Sequence, residues 1–308
     1  MVRATSPLGA TQADNISRNK NTILGVYRHP EPIRSMSSNI SRHFKPHPLD
    51  IHIDTHLDRV VLQDALASSR TVLFFGHCST ETSRGAGSLT SNGSGSSTNT
   101  PTRRLPSQHL LLDDTPGIHQ AADDTPFPWP PPLSSPETEN HTTAESPHVF
   151  TIEDVFATPV TASLITLVAC GSAEQEIRTG DEPLGLLTAL LCSGANSVVG
   201  SMWPVEPRVG VAFAEGFYKR LTSLLSSPRE GDCSAERDGD GEGGHGDGRR
   251  TRVRRMVDLA VVLQETVVEL KRSRRVGFDT ANVVDWGAFT LNGAWLLDVL
   301  DEATSVSP

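Results

Sequence analysis

The run from Leu164 to Ser172 reads Leu-Ile-Thr-Leu-Val-Ala-Cys-Gly-Ser, an unbroken apolar stretch that gives way to a cysteine and small residues. Continuous apolar runs of this length belong to strands buried on both faces of a parallel sheet. A second run, Thr71-Val72-Leu73-Phe74-Phe75-Gly76-His77-Cys78, repeats the design. Open α/β sheets bind ligands beyond the carboxyl ends of their strands. One strand therefore delivers a thiol, and the other an imidazole, to a loop where chemistry is done. That pairing suggests a thiolate nucleophile and its base.

The rest of the chain supplies elements that fit such a sheet. Residues 1 to 48 are rich in Ser, Asn, Arg and Pro without sustained periodicity, which predicts a disordered arm, with order beginning near Leu49. Leu57, Val60, Val61, Leu66 and Ala67 approximate helical spacing and lead into the strand Thr71 to Phe75. Flexible inserts are expected over about 83–106, 120–148 and 226–250, where Gly, Ser, Thr, Pro and charged residues offer too little apolar area to offset ordering. Between them lie a short strand, His109 to Leu112, and a helical turn, Thr151 to Phe156. Beyond the cysteine loop, Asp181 can cap a helix with Pro183 in its first turn, Leu184, Leu187, Leu190 and Leu191 inward, and Gly194 just past its end. A strand over Ser197 to Met202, helices from Pro207 and over Val253 to Leu270, and a last strand over Ala288 to Leu291 follow. Residues 301–308 read as a tail. The alternation predicts an α/β fold with a mostly parallel sheet and helices on both faces.

Several function classes are disfavoured. A net charge of -10 argues against nucleic acid as a partner, because phosphate binding needs a basic face. The run Arg249 to Arg255 follows acidic residues and reads as a solvated helix start. Four irregularly spaced cysteines form neither a disulfide framework nor a zinc knuckle, so a reducing, cytoplasmic setting is expected. No apolar leader opens the chain and no stretch approaches the ~20 apolar residues that span a bilayer, which predicts a soluble protein without a membrane partner. His52-x-Asp54-x-His56 has alternate zinc-competent residues on one strand face, with His43 and His47 nearby. A metal-dependent hydrolase built there is a weaker rival reading; no further ligand is placed convincingly, so no metal and no cofactor are assigned. Asp113 and Asp114 read as a strand-ending turn.

Phe75-Gly76-His77, Leu111-Leu112-Asp113-Asp114, Leu167-Val168-Ala169-Cys170-Gly171, Gly180-Asp181-Glu182 with Gly185-Leu186, the run Ser193 to Val205, Phe217-Tyr218 and the run Trp286 to Gly293 occur in this order. Together they resemble the CHAT domain, a caspase-like, separase-related family of cysteine peptidases. The resemblance covers roughly Leu57 to Trp295 and is most specific from Ala169 to Tyr218. It implies a caspase-like three-layer αβα sandwich and an endopeptidase that acts on protein substrates through a thioester. Cys170 would be the nucleophile and His77 its acid and base, with the backbone N–H groups of Cys78 and Cys170 facing the oxyanion. Asp181 and Glu182 would line a pocket for a basic side chain, or else cap a helix. A sensor or regulatory protein would be a further partner.

Two departures from the family pattern favour a rival reading, a non-hydrolytic interaction module or a truncated gene product. Cys78 stands where glycine is usual, and the segment before Asp50 shows fewer strands than family domains place ahead of the histidine. Cysteines at adjacent strand ends also raise the prospect of a Cys78–Cys170 disulfide under oxidation, and the insert 226–250 is exposed to self-processing.

Overall fold

The structure, a computed structural model, describes residues 20–44, 49–81, 107–114, 148–175, 184–226, 254–273 and 283–300. In chain order its elements begin β1 (Asn21–Val26), α1 (Glu31–Ser41), β2 (Leu49–Asp54), α2 (Arg59–Ser68), β3 (Thr71–Glu81), β4 (Ser107–Leu111), β5 (Val149–Thr151) and α3 (Ile152–Ala157). They continue with β6 (Leu164–Ala169), α4 (Leu186–Cys192), β7 (Ser197–Ser201), α5 (Pro207–Ser226), β8 (Arg254–Asp258), α6 (Leu259–Arg272), β9 (Phe289–Gly293) and β10 (Leu296–Leu300). The expected inserts and tail fall almost wholly outside the described residues.

The main sheet runs β2-β1-β3-β6-β7-β9. Its first five strands are parallel, and β9 closes the edge antiparallel to β7. Chain order reverses between β1 and β3, the kind of switch point beside which open α/β sheets place their ligands. Helices cover both faces. On one side α1 contributes Ile33, Met36 and Ile40, α5 Phe213, Phe217 and Leu221, and α6 Leu259, Val262 and Leu270. On the other, α2 supplies Leu62, Ala65 and Leu66, α3 Ile152 and Val155, and α4 Leu186, Leu187 and Leu190. This is the three-layer αβα sandwich expected.

Local chemistry explains most of the boundaries. Asp58 accepts from the Val60 N–H at the start of α2, Asp258 from Val261 at the start of α6, and Thr151 forms a capping box with Asp154 on α3. Gly194 adopts φ +123° just past α4, where a Cβ would fall 2.3 Å from the Val160 carbonyl oxygen.

Three features differ from expectation. The amino-terminal segment is no simple arm: β1 lies inside the sheet between β2 and β3, and all six of its residues are buried. Its polar head misleads a compositional reading, because Asn21 accepts from the Thr71 hydroxyl at 2.7 Å and Thr22 pairs with Ser69 at 2.7 Å. Partnered in this way, they are buried at little cost. Among the described residues, two strands thus precede the histidine strand. Second, residues 254–258 form a strand paired with β10, and the helix begins only where Asp258 caps it. Third, α4 starts at Leu186 with Gly185 as its N-cap, later than the start expected at Pro183.

Candidate active site

The parallel pairing of β3 with β6 sets Gly76 opposite Ala169. His77 and Cys170 are therefore the next residues on strands about 4.8 Å apart. Side chains alternate faces along a strand. Phe75 and Val168 point into the core beneath α1, α5 and α6, while Ala169 belongs to the opposite core. His77 and Cys170 consequently share the first face. Tyr27, just past β1, stacks on the His77 ring at 5.4 Å and 18°. The Cys170 Sγ lies 3.9 Å from the Val205 carbonyl oxygen.

His77 also marks a change of partner: β3 leaves β6 after Gly76 and pairs antiparallel with β4, His77 opposite Leu111. The chain beyond β4 returns Asp114 to the imidazole, with Oδ2 at 3.5 Å from Nε2. That nitrogen is buried and makes no hydrogen bond, so the contact is electrostatic. Asp114 is 8% exposed and accepts from the Arg28 backbone N–H. Read from sequence as part of a turn, it is instead the carboxylate beside the histidine. The quoted motif Leu111-Leu112-Asp113-Asp114 held this signal, whereas nothing in the sequence pointed to Tyr27 or Arg28.

Gly171 carries the turn after the cysteine at φ +63°, and a Cβ there would come within 2.7 Å of Glu174 Oε1. A buried network fixes this loop. Ser201 donates its hydroxyl to the Ala169 carbonyl at 2.5 Å, and its N–H reaches Ser172 Oγ at 3.0 Å. The Ala173 N–H bonds the Ser201 carbonyl at 2.8 Å. From β4, the Gln108 amide donates to the Gly171 carbonyl at 2.9 Å and accepts from the Leu186 N–H at 2.6 Å. Sequence reading missed Gln108, Ser172 and Ser201, because buried polar side chains look like surface residues in a composition.

Burial pushes the Cys170 thiol above its ordinary pKa, and the nearby Glu174 charge acts the same way, while backbone contacts at Val205 and Cys170 offset part of this. The Cys78 thiol is pushed up to about 12, chiefly by burial, against a hydrogen bond from Gln108. Burial also raises the Glu174 carboxyl. Cys78 and Cys170 are both free thiols. Cys78 packs in the α2, α3 and α4 core, opposite the face that holds Cys170.

The His52 motif is divided. His52 pairs with Asp50 at 3.2 Å, and Asp54 accepts from the Thr55 N–H. His56 instead meets Asp113 and His148. Asp181 and Glu182 lie outside the described residues.

The CHAT domain family model matches residues 37–294. The chain belongs to the CHAT domain family. Two crystal structures of the Saccharomyces cerevisiae separase–securin complex, at 2.6 and 3.0 Å resolution, are similar to it at 11% identity, with TM-scores of 0.46 and 0.47. The matches cover 92% and 93% of this chain, which spans only 12% of the chains it resembles. No curated protein sequence matches significantly. Within this CHAT domain no described residue other than glycine has positive φ, so Cys78, where glycine is usual, sits in ordinary extended backbone. The position imposes no conformation that a side chain resists.

No helix among the described residues is long and apolar enough to cross a membrane.

Proposed function

We propose that this chain is a cysteine endopeptidase that hydrolyses protein substrates through a Cys170–His77 dyad. The observation that carries the reading is the strand register, which makes both residues the next positions after a paired Gly76 and Ala169, on one face. His77 takes the proton from Cys170 Sγ, and the thiolate attacks the carbonyl carbon of the scissile peptide bond. The backbone N–H groups of Cys78 and Cys170 receive the oxyanion. Collapse of the tetrahedral adduct breaks the C–N bond, His77 protonates the departing amine, and a thioester remains. Water, deprotonated by His77, then releases the acid and restores the thiol. Asp114 orients the imidazole. Asp181 and Glu182 line the pocket for a basic side chain, and a reducing, cytoplasmic setting keeps the thiol free.

Because burial raises the Cys170 thiol, the thiolate depends on an adjacent imidazolium. Opposite charges ~4 Å apart at an effective dielectric of ~20 gain about 4 kcal/mol, roughly a thousandfold in the ion-pair population. This is enough to offset a substantial desolvation cost.

A second reading, a binding module without hydrolysis, draws support from the same burial, which leaves an isolated Cys170 thiol protonated. Intact-mass labelling with a peptidyl electrophile at neutral pH separates the two. Modification of Cys170 that collapses in His77→Ala establishes the dyad. Equal, slow labelling of every cysteine in a folded chain would reject the peptidase reading.

A further inference from the structure

We infer that His56, Asp113 and His148 form a zinc site that clamps together three segments beside His77. The three converge from separate places: His56 follows β2, Asp113 follows β4, and His148 precedes β5. Backbone hydrogen bonds already hold these segments in register. The Leu112 N–H bonds the His148 carbonyl at 2.7 Å, the Leu57 N–H bonds the Leu112 carbonyl at 2.8 Å, and the Asp114 N–H bonds the Thr55 carbonyl at 2.8 Å. His56 and Asp113 also form an isolated antiparallel bridge.

The side-chain geometry is that of a ligand set rather than a chance meeting of polar groups. Both imidazoles turn Nδ1 toward the same carboxylate oxygen, Asp113 Oδ2, at 3.6 Å from His56 and 3.0 Å from His148. All three candidate ligand atoms lie within 4.8 Å of one another. Zinc with nitrogen and oxygen ligands at ~2.0–2.1 Å requires donor–donor separations of about 3.4 Å in a tetrahedron. Two of the three edges are within a few tenths of an ångström of that value. The rings meet nearly edge to face, at 5.6 Å and 72°, so two donors converge without stacking.

Donor chemistry selects the metal. Two imidazoles and one carboxylate suit a borderline transition ion and disfavour calcium or magnesium, which take oxygen ligands. The Asp113 side chain is only 7% exposed, whereas the His56 side chain is 50% exposed and opens the site to solvent. A tetrahedral ion held by three protein groups keeps its fourth position for water.

The consequence reaches the dyad through one peptide bond. Asp114 follows Asp113 and lies 3.5 Å from His77. Zinc that fixes Asp113 restricts the segment that presents Asp114. It also ties both borders of residues 115–147 to the end of β2. The clamp stands on its own geometry and does not require the peptidase reading.

The test uses the full chain and zinc chloride alone. Equilibrium dialysis at neutral pH followed by metal analysis should give one zinc per chain, and the thermal midpoint should rise with zinc concentration by linkage. The His56→Ala/His148→Ala variant should lose binding by more than the ~10–100-fold that removal of an outer-shell partner costs. The Cys170→Ala/His77→Ala variant should bind as the parent does. X-ray absorption of the zinc-loaded parent, which needs no variant, should show only nitrogen and oxygen neighbours near ~2.0 Å. A sulfur shell near ~2.3 Å, zinc lost with the dyad variant, or no zinc retained by the parent would each overturn the inference.

Discussion

Gln108→Leu is the substitution that best separates the loop network from ordinary packing. Gln108 is 4% exposed, and its amide joins the nucleophile loop to the start of α4. Leucine has similar bulk, so the change removes hydrogen bonds with little change in volume. The Leu186 N–H then becomes a buried donor without an acceptor, which costs about 1–3 kcal/mol. The Gly171 carbonyl loses the amide but keeps the Glu174 N–H at 2.9 Å, so its loss is one hydrogen bond of about 0.5–1.5 kcal/mol. The sum, about 3 kcal/mol, is a large share of the ~5–15 kcal/mol that stabilises a typical domain. Equilibrium urea unfolding should show a lower midpoint at unchanged slope. The rate of Cys170 labelling should change as well, because Gly171 is the next residue. A stability loss below about 0.5 kcal/mol, the range of an ordinary surface substitution, would refute the view that Gln108 is a strut.

Stability should fall as pH rises from about 9 toward 12, since the buried Cys78 thiol keeps its proton in the folded chain while the unfolded chain releases it. Cys78→Ala should flatten that alkaline slope in a pH series of unfolding curves; an unchanged slope would contradict it. Phe213 stacks on Phe289 at 3.5 Å and on Phe217 at 5.6 Å, so Phe213→Ala should cost about 3–5 kcal/mol by the same unfolding assay. Asp114→Ala should slow Cys170 labelling less than His77→Ala does, with the latter costing ~10²–10⁴-fold as removal of an acid–base group does.

What could be read in advance followed burial type. The strands carrying Cys170 and His77 are apolar runs, and the helix faces of α2 and α5 keep a 3.6-residue period, so both were legible. β1 was not. Its Asn21 and Thr22 are polar by composition yet buried through partners that arrive from Thr71 and Ser69, and no local pattern reports a partner some 50 residues away. The start of β8 failed for a related reason: Arg254 and Arg255 suggest a solvated helix, but pairing with β10 decides the matter. At the site, the residue types that do chemistry were visible, while the struts that place them, Gln108, Ser172 and Ser201, belong to tertiary structure.

Asp113 and Asp114 show how a single backbone step can serve two centres. Residues in extended backbone alternate sides, so neighbouring carboxylates face away from each other and escape mutual repulsion. Asp113 turns to His56 and His148, and Asp114 turns to His77 and the Arg28 N–H. The two carboxylates therefore move together but meet different partners. Any event that shifts Asp113, such as a bound ion, must displace Asp114 or be absorbed by backbone that three hydrogen bonds and a bridge hold in place. Asp114 meets His77 through an electrostatic contact without a hydrogen bond, while the same oxygen is anchored by the Arg28 N–H. The His77 contact is thus the softer of the two, and a shift of the Asp114 carboxylate changes the electrostatic field at the imidazole without pulling on the ring. Coupling of this kind acts through position, so it predicts that changes at His56 or His148 alter the rate of Cys170 labelling without altering which cysteine is labelled.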